Sequence, residues 1–207
     1  EGLDSLLLMS QAGMRGGDAV VKVLNGEVTP SGKLTDTWAV NYEDYSSSEG
    51  FGANDENVTQ EEYTDDIYVG YRYFDTFNVT PAYEFGYGLS YTDFNIDVKD
   101  VTVDEENVTV DVRVTNVGEK YAGKEVVEVY FSAPDGALEK PYQELATYGK
   151  TDTLAPGESQ ELTLSYATTE MSSYSEDLAA YVMENGDYVV RVGNSSRNTS
   201  VEAVINL

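Results

Sequence analysis

The chain has 207 residues, enough for one large domain or two small ones, with 41% hydrophobic and 24% charged residues, the balance of an ordinary folded protein. Its charge is lopsided: 38 Asp plus Glu stand against 12 Lys plus Arg, and a formal net charge of −26 repels phosphate backbones and anionic lipid head groups, which argues against nucleic-acid and membrane partners. There is no cysteine and no histidine, which excludes thiol nucleophiles, disulfides, histidine bases and metals held by Cys or His, and leaves carboxylates, Tyr and Lys to do any chemistry.

Glu1-Gly2 offers neither an initiator Met nor a signal-peptide pattern, and Leu3-Asp4-Ser5-Leu6-Leu7-Leu8-Met9 enters a buried-strand pattern at once. The chain is therefore expected to be the C-terminal piece of something longer. Residues 1–92 read as α/β. A short strand is expected from Leu6 to Ser10, running into Gly13, Gly16 and Gly17; a helix over Asp18 to Leu24 stops at Asn25-Gly26; the turn Thr29-Pro30-Ser31-Gly32 delivers an extended segment from Lys33 to Trp38. This order is one unit of a parallel sheet with covering helices, and one unit cannot make a domain.

Residues 40–66 are polar and aromatic, with almost no aliphatic content, and read as a long surface loop. Trp38 stands at its entrance; Tyr42, Tyr45, Phe51 and Tyr63 lie within it, beside the acidic group Asp55, Glu56, Glu61, Glu62, Asp65 and Asp66. That acidic run lacks the ligand spacing and central glycine of a calcium loop, and no metal or cofactor is expected. A tyrosine-rich element over residues 67–75 follows, and then a connecting segment from Pro81 to Ser90. Tyr68, Tyr71, Tyr73 and Phe74, with Phe85 and Tyr87, are expected to pack between the two parts of the chain, their hydroxyls finding polar partners.

From about Tyr91 the apolar period changes to two. Phe94–Val98, Val101–Val103, Val108–Val114, Val126–Phe131, Leu162–Tyr166, Tyr188–Val192 and Val201–Ile205 alternate, separated by turn signals such as Asn116-Val117-Gly118 and Asn185-Gly186-Asp187. Such spacing predicts an all-β immunoglobulin-like sandwich over residues 93–207, of the fibronectin type III-like kind because no cysteine is present for an inter-sheet disulfide. The fold class expected is thus an α/β fragment followed by that sandwich.

Several strings in this order, Gly16-Gly17-Asp18-Ala19, Thr29-Pro30-Ser31-Gly32-Lys33-Leu34, Ile67-Tyr-Val-Gly-Tyr-Arg-Tyr-Phe74, Phe85-Gly-Tyr-Gly-Leu-Ser-Tyr91, Gly123-Lys-Glu-Val-Val-Glu-Val-Tyr130 and Gly186-Asp-Tyr-Val-Val-Arg-Val-Gly193, resemble the C-terminal half of glycoside hydrolase family 3, best its β-glucosidase-like members. The resemblance implies that residues 1–92 are the tail of that family's α/β sandwich domain and the rest its fibronectin type III-like domain. It also implies a retaining glycosidase acting on a β-glucoside or oligosaccharide, in which an Asp nucleophile on a barrel and a Glu acid/base earlier in the α/β sandwich domain do the chemistry. Neither segment is present, so no residue here takes a catalytic role, and the partner implied is the remainder of the glycoside hydrolase, as another chain or as a missing part of the same chain. Trp38, Tyr42, Tyr45, Phe51 and Tyr63 are the residues expected near substrate. The alternative is a stand-alone fibronectin-like module that binds carbohydrate or mediates adhesion.

Overall fold

Val108, Val110, Val112 and Val114 are at most 1% exposed, while Thr109, Asp111, Arg113 and Thr115 between them keep contact with water. A strand with that alternation belongs to a sheet with one dry face and one wet face. The computed structural model, which describes residues 2, 4–53, 56 and 58–207, places it as β4 (Asn107–Asn116) between β3 (Phe94–Val103) and β7 (Ser159–Ala167) in an antiparallel three-stranded sheet. The wet face is laced by cross-strand polar pairs, Arg113 to Glu161 at 2.7 Å and Thr115 with Ser159 at 2.8 Å among them.

The opposing antiparallel sheet has the order β11-β10-β5-β6, with β5 at Val126–Ser132, β6 at Glu144–Lys150, β10 at Asp187–Ser195 and β11 at Asn198–Asn206. Val127, Val129 and Phe131 of β5 and Tyr188, Val190 and Val192 of β10 meet the β4 valines in the core, with Leu164, Tyr166 and Met171. Strand β5 breaks the alternation: every residue from Val126 to Phe131 is buried. Its odd-numbered residues face the core, so Glu128 and Tyr130 are buried by something on the outer face. That cover is the tail formed by residues before 92.

The tail contains α1 (Gly16–Leu24), a two-residue strand β1 (Trp38–Ala39) paired with β2 (Pro81–Tyr83), and α2 (Tyr71–Thr76). Leu34 is joined to residues 86–87 by backbone bonds from Leu34 N to Tyr87 O and from Gly86 N to Leu34 O, both 2.8 Å. Asn116, fully buried at the end of β4, locks the entry to the sandwich. Its amide donates to Tyr121 O and Leu154 O, both at 2.9 Å, and its Oδ1 accepts from the Thr92 hydroxyl at 2.6 Å.

The structure departs from the sequence expectations in four places. Leu6 to Ser10 forms no strand, and Leu6, Leu7, Leu8 and Met9 are between 44% and 65% exposed, because no neighbouring strand among the described residues takes up its backbone groups. The 67–75 element, whose type the sequence left open, contains most of the short helix α2 and is not among them. The two strands expected at 94–98 and 101–103 are one, β3, bent by a register shift between Val98 and Asp100. Strand β6 went unpredicted because Glu144-Leu-Ala-Thr-Tyr-Gly-Lys150 lacks an alternating apolar pattern, as did the small hairpin of β8 (Ser173–Ser175) with β9 (Ala180–Val182). Asp55 of the acidic run, and Glu1 and Leu3 of the opening pattern, lie outside the described residues. No helix among those described is long and apolar enough to cross a membrane.

Leu164 sits over Gly149 of β6, where an added Cβ would stand 2.5 Å from Leu164 Cδ2, so the two sheets touch there with no slack. Replacing Leu164 by Ala should destabilise the sandwich by about 2–5 kcal/mol, the usual range for a cavity of that size. Urea unfolding checks this as a lowered midpoint with an unchanged slope.

Candidate functional site

Two features meet where the tail lies on the sheet: a cleft and a buried polar junction. The cleft, of about 680 Å³, is walled by Thr35–Trp38, Tyr45–Ser47, Asp65, Val69–Phe74 and Phe85. Loop 40–66 forms one wall. Asn41 caps a 3-10 turn at Tyr42–Asp44 through its backbone N–H to Asp44 Oδ2 at 2.9 Å. This turn aims Tyr45 inward, where its hydroxyl accepts from Ala39 N–H at 3.0 Å and its ring meets Phe74 edge-on at 5.8 Å. Ser46 donates to Asp65 across the loop. Thr37, only 5% exposed, lines the same cleft.

The loop aromatics are not brought to one place. Trp38 and Tyr45 line the cleft, and Trp38 also meets Tyr83 edge-on at 6.1 Å. Tyr42 packs its ring 6.4 Å from Tyr45 but stays 48% exposed. Phe51 and Tyr63, at 63% and 93% exposure, stand out in solvent away from the cleft lining. The described acidic side chains form no group of three or more suited to holding a metal ion.

The second aromatic set divides similarly. Tyr68 donates to Glu139 Oε1 of the sandwich at 2.8 Å, and its pKa is pushed up to about 12 by desolvation and by that carboxylate. Tyr71 accepts from Leu145 N–H of β6 at 2.8 Å, with its ring between Phe85 at 5.0 Å and Tyr130 at 5.8 Å. Phe85 also accepts, through its carbonyl, from Ser196 N–H at 2.9 Å. The rings of Tyr73, Phe74 and Tyr87 pack, tilted or edge-on, against other aromatics of the tail, Phe77, Tyr45 and Tyr83 respectively.

Charged groups that sequence reasoning passed over carry the junction. Arg197, just past β10, donates from Nε to Asp75 Oδ1 at 2.9 Å, and its NH2 reaches the Phe74 and Val79 carbonyls at 2.9 and 2.7 Å, so one guanidinium closes the C-terminal end of α2. Gln143 bonds Asp75 Oδ2 at 3.0 Å and the Ser196 carbonyl at 2.7 Å. Arg72 pairs with Glu144 at 3.3 Å, and Lys33 with Glu125 at 3.0 Å. Burial raises the pKa of Asp75 against the lowering by Gln143 and Arg197, and it raises Glu144 against Arg72. Their signal in the sequence is slight, because a charged residue at an alternate strand position reads as facing water. The one hint was Glu128 inside the otherwise apolar Val126-Val127-Glu128-Val129-Tyr130-Phe131.

The tail is thus clamped by polar side chains onto a fibronectin-type sandwich. Residues 1–91 match the Glycosyl hydrolase family 3 C-terminal domain, and residues 125–196 the Fibronectin type III-like domain. The chain belongs to glycoside hydrolase family 3 and corresponds to the C-terminal part of its β-glucosidase-like members. Among its relatives, β-glucosidase A of Butyrivibrio fibrisolvens is 43% identical over 220 residues, covering 95% of this chain and 26% of the relative. The structure of β-glucosidase 3B from Thermotoga neapolitana in complex with glucose superposes with a TM-score of 0.91 at 45% identity, over 99% of this chain and 28% of that one. β-Glucosidase from Kluyveromyces marxianus gives 0.84 at 35% identity, over 92% and 23%. The chain spans about a quarter of the length of the relatives it matches.

Arg197→Ala should cost about 3 kcal/mol, at the low end for breaking a buried pair because the guanidinium keeps 29% of its exposure while Asp75 keeps 5%. The loss should be larger at pH 8 than at pH 5, since Asp75 sheds its uncompensated charge by protonating in acid. Thermal unfolding of the variant at the two pH values reads both effects.

Proposed function

We propose that this chain is the non-catalytic C-terminal part of a β-glucosidase-like enzyme that removes terminal β-D-glucosyl residues with retention of configuration. The observation that carries this is the match over 99% of the chain to 28% of a β-glucosidase solved with glucose. Retaining hydrolysis needs two carboxyl groups about 5–5.5 Å apart across the scissile bond, and the family resemblance puts that pair outside these residues. The chain's work is then structural: the sandwich buttresses the α/β layer, and the tail presents an edge to the remainder of the enzyme.

Support for such a partner comes from the exposed apolar side of the tail. Leu6, Leu7, Leu8 and Met9 are joined there by Met14, Val21 and Leu24, and Gly16 is the buried residue of α1. An amphipathic helix and an aliphatic run left bare in this way are an α/β layer awaiting its sheet. On the other side, loop 40–66 supplies the residues we place nearest substrate: Trp38 and Tyr45 at the cleft wall, and Tyr42, Phe51 and Tyr63 as aromatic faces able to stack on a second sugar. A stand-alone carbohydrate-binding or adhesion module would have no use for a tail that supplies buried ion-pair partners to the sheet.

The isolated 207-residue chain should leave an aryl β-glucoside intact, and addition of a separately produced barrel and first part of the α/β sandwich domain should restore hydrolysis. Turnover by the chain alone, with intact enzyme excluded by mass spectrometry, would sink the proposal. In the reassembled enzyme, Trp38→Ala and Tyr45→Ala should raise KM for an oligosaccharide several-fold and leave kcat on the aryl glucoside near its original value.

A further inference from the structure

The junction holds more negative charge than its bases can neutralise. Glu128 of β5 is 4% exposed, and its Oε2 accepts from the Tyr130 hydroxyl at 2.6 Å. Gly86 of the tail is pressed onto it: at φ +82, an added Cβ there would lie 2.5 and 2.8 Å from the two Glu128 oxygens and 2.7 Å from Ser195 Cα. From the same tail segment Glu84 reaches Ser195, which donates to its Oε1 at 2.9 Å. Glu125, just before β5, is 8% exposed.

Against these three carboxylates stands the ammonium of Lys33, already engaged by Glu125 Oε1 at 3.0 Å. Glu125 is further satisfied by its neighbour's backbone, Val126 N–H at 2.8 Å, and by Asn194 Nδ2 at 3.1 Å. Of the other groups packed around the cluster, Lys150 bonds the Ser31 carbonyl and also faces Glu125, Tyr71 of α2 meets Tyr130 edge-on, and Asp75 is held by Arg197 and Gln143. Glu128 therefore has a hydroxyl donor but no cation of its own, and two like charges in Glu84 and Glu125 beside it.

We propose that the junction between tail and sandwich is a proton-gated clasp, closing with a proton bound at Glu128 and loosening when that proton is lost. Burial is the largest influence raising the Glu128 pKa, with Glu125 and Glu84 adding to it and the Tyr130 bond and Lys33 opposing. A carboxyl with a raised pKa in the closed state binds its proton more tightly there than when open. Its contribution is complete at acid pH and is lost as the pH climbs through the closed-state value. The buried Asp75 and Glu144, raised by the same cause, act in the same direction. Tyr130, pushed strongly upward by burial and Glu128, stays a neutral donor throughout.

The test has a direct arm and a junction arm. In the wild-type chain, the Glu128 carboxyl ¹³C resonance should titrate with a midpoint above those of the chain's exposed Glu residues. The Ser196 amide, bonded to Phe85 O across the junction, should lose hydrogen-exchange protection by tenfold or more between pH 5 and pH 8, corrected for intrinsic exchange. Glu128→Gln, which mimics the protonated carboxyl, should keep most of that protection at pH 8 and reduce its pH dependence to the share left by Asp75 and Glu144. A Glu128 midpoint at or below those of exposed Glu residues would overturn the proposal. So would Ser196 protection that does not change with pH in the wild type, or that falls in Glu128→Gln equally at both pH values.

Discussion

Strand β5 has water on neither side, and most of what is distinctive in this chain follows from that. A sandwich strand normally rests one face on the core and gives the other to solvent. Here the second face lies under the tail, so each outward side chain has to be either apolar or supplied with partners, since an unsatisfied buried polar group costs a few kcal/mol. Val126 takes the first course. Glu128 and Tyr130 take the second by bonding each other, and Glu125 does so with Lys33, Asn194 and its neighbour's backbone. The tail and sandwich are accordingly joined by directional contacts as well as by packing.

This arrangement explains how a tail with few regular elements holds its place. Helix α2 has six residues, and β1 with β2 amounts to a five-residue ribbon, too little to persist alone in water. What fixes them comes from the other side of the junction: Arg197 on the end of α2, Leu145 N–H on Tyr71, and Tyr142 N–H on Thr76 at 2.8 Å. The opposite flank of the tail has no such hold. There Tyr91, still within the tail, donates to Val23 O of α1 at 2.9 Å, and past α1 Thr29 donates to Ala122 O of the sandwich at 2.5 Å, while Val21 and Leu24 stay bare.

The sandwich was legible in the sequence because valine alternation and turn residues both encode burial on one face, and both are local. What escaped was set by contacts far along the chain. Strand β6, with a glycine and a lone leucine, is a strand because β5 offers it an edge, and α2 is a helix because Arg197 and Phe74 secure it. Leu6 to Met9 has a strand's composition but no sheet beside it among the described residues, so pattern and conformation part there. The cleft was half visible: loop 40–66 stood out by its length and aromatics, yet nothing in the spacing separates Tyr45, turned inward by the Asn41 cap, from Tyr63, left in solvent. The junction carboxylates were hidden by the very alternation that revealed the strands.

Arg197 stands two residues past the end of β10, yet it grips backbone carbonyls more than a hundred positions earlier. A gene fusion or natural shuffling event that cut near residue 92 would free a sandwich carrying bare acids and a dangling guanidinium on what had been its dry back. The unit that can travel between proteins is therefore larger than the strand count suggests, and it begins at or before the lysine at position 33.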